Sequence, residues 1–95
     1  MFFMIIERFA EADMVPIYRR LRDQGRGLPD GLTCIESWVE PNLSRCFQLM
    51  ECDDLRLLQR WVLHWRGLKA QFEIVPVVSG KDTEAVVANR LDEAP

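Results

Sequence analysis

The sequence predicts one α+β domain in which two helices cover one face of a four-stranded antiparallel sheet. Three observations predict it. Strand-like and helix-like segments follow the order βαββαβ through the first 80 residues, a four-residue connection joins the two middle strands, and a glycine-rich turn separates the first helix from the next strand.

Residues 1–9 (MFFMIIERF) carry aromatic and branched side chains on both alternating faces, which suits a central strand. Asp13 is then expected to cap a helix whose Met14, Ile17, Tyr18 and Leu21 recur at helical spacing, with Pro16 tolerated in the first turn. Gly25, Gly27, Pro29 and Gly31 end that helix and supply turn conformations. Residues 32–40 (LTCIESWVE) and 45–52 (RCFQLMEC) read as a hairpin around Pro41, Asn42, Leu43 and Ser44. Asp53 and Asp54 precede a second helix over 55–67, in which Leu57, Leu58, Trp61, Val62, Trp65 and Leu68 make a wide apolar stripe. Residues 71–78 (QFEIVPVV) alternate as a fourth strand, and Pro76 assigns it to an edge or a bulge. The domain is therefore expected over 1–80, with 81–95 forming a short C-terminal helix and tail. This order is the ferredoxin-like split βαβ arrangement.

With 95 residues there is room for one core. An apolar content of 48% with 28% charged residues is that of a folded globular chain. So short a domain leaves apolar faces that a second copy would cover, and a homodimer is expected. The net charge of −3 gives no reason to expect nucleic acid or an anionic membrane. Cys34, Cys46 and Cys52 form no CxxC pair and read as reduced thiols, which with the absence of a signal-like segment suggests the cytoplasm. They do not make a metal site: Cys46 and Cys52 on one strand would stand roughly 20 Å apart. No cofactor is implied.

Alternation sets Cys34, Glu36, Trp38 and Glu40 opposite Ile35 and Val39 on one hairpin strand, and Gln48 and Met50 opposite Phe47 and Leu49 on the other. With Ile35, Val39, Phe47 and Leu49 beneath the helices, the open face would mix Trp and Met with carboxylates.

The run SWVEPNLSRCFQLMEC, with MFFMIIERF and RGLPDGL before it and FEIVPVV after it, resembles a bacterial family of small proteins known as a domain of unknown function. The likeness covers residues 1–79 and leaves the tail outside. That family resembles part of the dimeric α+β barrel superfamily, which implies two subunits packed sheet to sheet. The superfamily includes cofactor-free monooxygenases, lactone isomerases, haem-degrading enzymes and ligand-sensing domains, and none of their active-site patterns matches here residue by residue.

The candidate ligand-binding residues are Glu36, Trp38, Gln48, Met50 and His64. A stacking ring with a few polar groups is how small organic molecules are held. Glu7 and Glu73 are further members if their facing allows. His64 is the only histidine and stands at the edge of the second helix's apolar stripe, where a boundary role with one wet nitrogen competes with a role in chemistry. The helix arginines read as a solvated face, and the strand aromatics lack the run that RNA-recognition modules use. Three readings follow: a homodimer that binds a small, partly apolar organic molecule between or beside the sheets, a catalytically inert dimeric interaction module, or a cofactor-independent monooxygenase or isomerase with a cavity carboxylate as base. Whether the protein is an enzyme stays open at this stage.

Overall fold

The computed structural model of the chain describes residues 1–10 and 13–93; the last two residues of the predicted tail lie outside them. The elements are β1 (Phe2–Phe9), α1 (Val15–Gln24), β2 (Thr33–Val39), β3 (Arg45–Glu51), α2 (Leu55–His64), β4 (Ala70–Val77) and α3 (Gly80–Ala88). The sheet is antiparallel throughout, in the order β2-β3-β1-β4. This is the expected ferredoxin-like α+β fold. β1 is central, as its two apolar faces require, and Pro76 lies on the edge strand β4, where a missing N–H is tolerated.

Local chemistry sets the helix ends. Asp54 caps α2, its carboxylate accepting from the Arg56 N–H at 3.0 Å. On α1 the cap position falls to Met14, one residue later than expected, and the Asp13 carboxylate accepts from the Val15 N–H at 3.1 Å instead. α2 stops at His64, short of the expected Gly67, because the chain tightens there into turns such as Trp65 N–H to Val62 C=O at 3.1 Å.

The core lies between the sheet and α1 and α2. Its centre is Phe3, Ile5, Leu32, Met50, Cys52, Leu58, Trp61 and Trp65, with Trp61 edge-on to Phe72 at 5.4 Å between centroids.

The facing expected on β3 is reversed. Cys46, Gln48 and Met50 are buried on the helix side, and Phe47 and Leu49 lie on the open side. The register explains it: Met50, Gln48 and Cys46 stand opposite Phe3, Ile5 and Glu7, the buried set of β1. On β2 a bulge between Cys34 and Glu36 breaks the alternation. Cys34 pairs with Met50 on the helix side, whereas Glu36 and Trp38 pair with Leu49 and Phe47 on the open side. Val39 faces the helices as expected, but Ile35, at the bulge, is exposed. The open face is accordingly more apolar than expected, carrying Phe2, Met4, Ile6, Phe47, Leu49, Val75 and Val77 beside Glu36 and Trp38. Ion pairs border it, Arg8 with Glu73 at 3.2 Å and Arg45 with Glu40 in a bidentate fork.

α3 does not join the body. Residues 78–93 are all exposed, and the molecule measures 56 × 31 × 17 Å with a radius of gyration of 16.5 Å. A compact chain of this length would have about 12 Å.

Candidate ligand cavity

Reversal of β3 moves polar groups from the open face to a cavity beneath the helices. The register builds its floor: Glu7 stands opposite Cys46, Cys46 opposite Val39, and Gln48 opposite Ser37, so three adjacent strands bring these side chains together. α1 contributes Ile17, Tyr18 and Leu21, α2 contributes Trp61, Trp65 follows from its C-cap, and the turn between α1 and β2 contributes Arg26 and Leu28. The space, partly open to solvent, is about 100 Å³.

The turn is fixed from below. The Trp65 indole N–H donates to the Arg26 carbonyl at 3.2 Å, and the His64 ring packs directly over Gly27, which has φ +70°. A side chain at residue 27 would meet that ring. Glycine is therefore required on two counts, backbone conformation and space. His64 Nε2 is buried with no hydrogen-bond partner among the described residues, and the ring meets Trp65 edge-on at 5.2 Å. His64 thus supports the wall of the cavity from outside its lining.

Glu7 is the chemical centre of the floor. It is 6% exposed, and the amide of Gln48 donates to Oε1 at 2.9 Å. Burial pushes its carboxyl above the usual value, opposed by the Gln48 hydrogen bond, by the neighbouring Cys46 thiol and by the more distant Arg26 charge. Gln48 is in turn oriented by Cys34, whose thiol lies 3.6 Å from the amide oxygen, and the Arg26 guanidinium donates to that sulfur at 3.8 Å. Burial raises the Cys34 thiol as well, and it pushes Cys46, beside the Glu7 charge, up to about 12. Neither thiol is set up as a nucleophile. The arrangement is a carboxyl held by a neutral donor at the base of an aromatic-walled space. Such a group accepts a hydrogen bond when ionised, donates one when neutral, and can pass a proton between the two states.

Of the residues expected at a site, Gln48 lies in this cavity. Met50 is fully buried in the core beside it, and His64 is behind its wall. Glu36 and Trp38 lie on the opposite face of the sheet, with Trp38 51% exposed, so the five are not brought together. Ser37, Cys46, Arg26 and the α1 residues were not anticipated. Glu7 had a sequence signal: it shares alternation with Phe3, Ile5 and Phe9, which marks a carboxylate on a buried strand face. Among the described residues no three His, Cys, Asp or Glu side chains are grouped to hold a metal ion, and no helix is long and apolar enough to cross a membrane.

Fold and cavity together define a ferredoxin-like α+β domain with a buried carboxyl in a small cavity between sheet and helices. The chain belongs to the family described as domain of unknown function (DUF3303), whose sequence model matches residues 1–91. The match includes α3, so the family extends past the point, residue 79, at which the sequence likeness was expected to end. No curated protein and no solved structure matches the chain.

Proposed function

We propose that the protein is a homodimer in which each copy binds a small, partly apolar organic molecule in the cavity between the sheet and α1 and α2. The observation that carries the binding reading is Glu7, a carboxyl 6% exposed, with a neutral hydrogen-bond donor, at the floor of a space walled by Trp61, Trp65, Phe9 and Tyr18. Burying an ionisable group beside an empty volume costs stability and contributes nothing to packing, and such groups concentrate at functional sites. Apolar walls supply affinity, and Glu7 and Ser37 select a molecule with a hydroxyl, amine or carbonyl at one end. A dry cavity of about 150 Å³ accommodates benzene. The space here is smaller, about 100 Å³, and partly open, so a single ring would occupy it with part of the molecule reaching out toward solvent.

The dimer reading rests on the open sheet face, whose contiguous, half-buried apolar side chains and exposed Trp38 make a patch of the kind that marks an interaction surface. Glu36 and Trp38 are then contacts between copies.

The test is native mass spectrometry of freshly purified protein, followed by saturation-transfer NMR with single-ring phenols and alcohols. The expected result is a dimer that carries retained small-molecule mass, or that shows ring-proton saturation abolished by Ile17→Trp, which fills the cavity. A dimer that binds none of the panel, unaffected by that substitution, favours the inert interaction module.

A second reading is favoured by the elevated proton affinity of Glu7: a cofactor-independent isomerase or monooxygenase in which this carboxylate removes a proton from the bound molecule. It requires that Glu7→Gln abolish turnover while binding persists.

A further inference from the structure

We infer that Arg26 selects the occupant of the cavity, and that this occupant is a small ring monocarboxylate with a hydroxyl group at its far end. The inference rests on the cavity reading and names the class of molecule the cavity takes.

The turn between α1 and β2 holds Arg26 in place. Gly25 and Gly27, on either side of it, have φ of +72° and +70°, a conformation that other residues resist. The Trp65 indole N–H donates to the Arg26 carbonyl at 3.2 Å. Arg26 is exposed and yet lines the cavity, so it stands where the space opens to solvent. It is the only cation in the lining, and among the described residues it pairs with no carboxylate, whereas Arg8, Arg22, Arg45, Arg56 and Arg90 each do. Its guanidinium donates to the Cys34 sulfur at 3.8 Å, which leaves most of its N–H groups for another acceptor. Glu7 is not that acceptor. The Cys34 and Gln48 side chains stand between the two charges, in a chain of contacts of 3.8, 3.6 and 2.9 Å from guanidinium to carboxyl.

The two polar ends of the cavity therefore suit different groups. At the floor, where Glu7 is 6% exposed, an anion would lose its water beside another acid. A hydroxyl finds a partner there whether the Glu7 carboxyl is ionised or neutral. At the mouth an anion keeps part of its hydration and meets a guanidinium, whose planar fork matches a carboxylate. One cation balances one negative charge, so a monocarboxylate fits better than a phosphate dianion. Between the ends, Phe9 and Trp61 wall a stretch in which a ring leaves water with no polar group stranded.

The experiment measures dissociation constants by NMR titration at neutral pH for para-hydroxybenzoate, para-cresol and para-hydroxyphenyl phosphate. The proteins are the parent chain, Arg26→Gln, Arg26→Lys and Ile17→Trp, with amide spectra reporting that each variant folds. The expected result is that the parent binds para-hydroxybenzoate about tenfold more tightly than para-cresol. Arg26→Gln should remove that preference while leaving para-cresol binding unchanged, Arg26→Lys should keep part of it, and Ile17→Trp should abolish binding of both. Para-cresol bound as tightly as the benzoate, or a preference that survives Arg26→Gln, overturns the inference and leaves the cavity reading standing. Tighter binding of the phosphate than of the benzoate overturns the carboxylate class. A parent that binds none of the three, or binding untouched by Ile17→Trp, overturns the cavity reading and the inference together.

Discussion

Replacing Glu7 by Gln separates the cost of burying its charge from every other property of the cavity. Gln retains the shape and an oxygen to accept from Gln48 Nε2, which now lies 2.9 Å from Glu7 Oε1. The carboxyl's proton affinity in the folded protein is raised above its ordinary value of 4.5, burial being the largest cause. Below that value it is neutral in both folded and unfolded chains, and its burial carries no charge penalty. As pH rises the unfolded chain ionises first, so stability falls until the folded carboxyl also ionises, and the penalty is constant above that point. Every tenfold change in proton affinity is worth about 1.4 kcal/mol. Burial of a carboxylate whose neutral partners are the Gln48 amide and the Cys46 thiol places the whole effect on the order of 1–3 kcal/mol. Urea unfolding at a series of pH values should therefore show Glu7→Gln stabilised by about that amount at pH 8 and nearly equal to the parent at pH 4. A difference that does not vary with pH, or a variant less stable at pH 8, would refute a buried, charge-strained Glu7.

Gly27→Ala should destabilise by about 2–4 kcal/mol, since it adds a strained φ to a collision with the His64 ring. Removing the ring as well, in Gly27→Ala with His64→Ala, should restore part of that loss, and purely additive unfolding energies would rule out the contact. Leu49→Lys on the open face should leave the thermal transition of the single domain within a few degrees while weakening the dimer, as read by light scattering against concentration. A thiol reagent applied to the native protein should label the half-exposed Cys34 before Cys46, which is buried and pushed up to about 12, and the reverse order would place Cys46 outside the core.

Element order was legible because each segment has its own local cause. Branched and aromatic alternation makes β1, Asp54 caps α2, and glycines separate α1 from β2. Facing on the hairpin was not legible in the same way. Alternation states which residues share a face, and the sign of that face comes from polarity. On β3 the two sets are Cys46, Gln48, Met50 and Phe47, Leu49. By hydrophobicity the second belongs inside, yet it is the first that lies under the helices, because pairing with Phe3, Ile5 and Glu7 of β1 decides the matter. The bulge after Cys34 then separated Cys34 from Glu36 and Trp38, an event with no marker in LTCIESWVE.

A sheet with two apolar faces has no solvent side to read, and the few polar residues inside its apolar alternation become the informative ones. Glu7 and Gln48 are such residues, on adjacent strands and joined by one hydrogen bond. A core with no further task would place apolar groups at both positions at no loss of packing, because removing both partners of a buried polar pair is close to neutral. The pair is instead kept beside an unfilled volume. Substituting both at once, Glu7→Leu with Gln48→Met, should therefore give a protein at least as stable as the parent at neutral pH. If that double variant is strongly destabilised, the pair is structural and the argument for a ligand in the cavity loses its main support. If it is stable and no longer takes up single-ring alcohols, the two side chains are there for the molecule they hold.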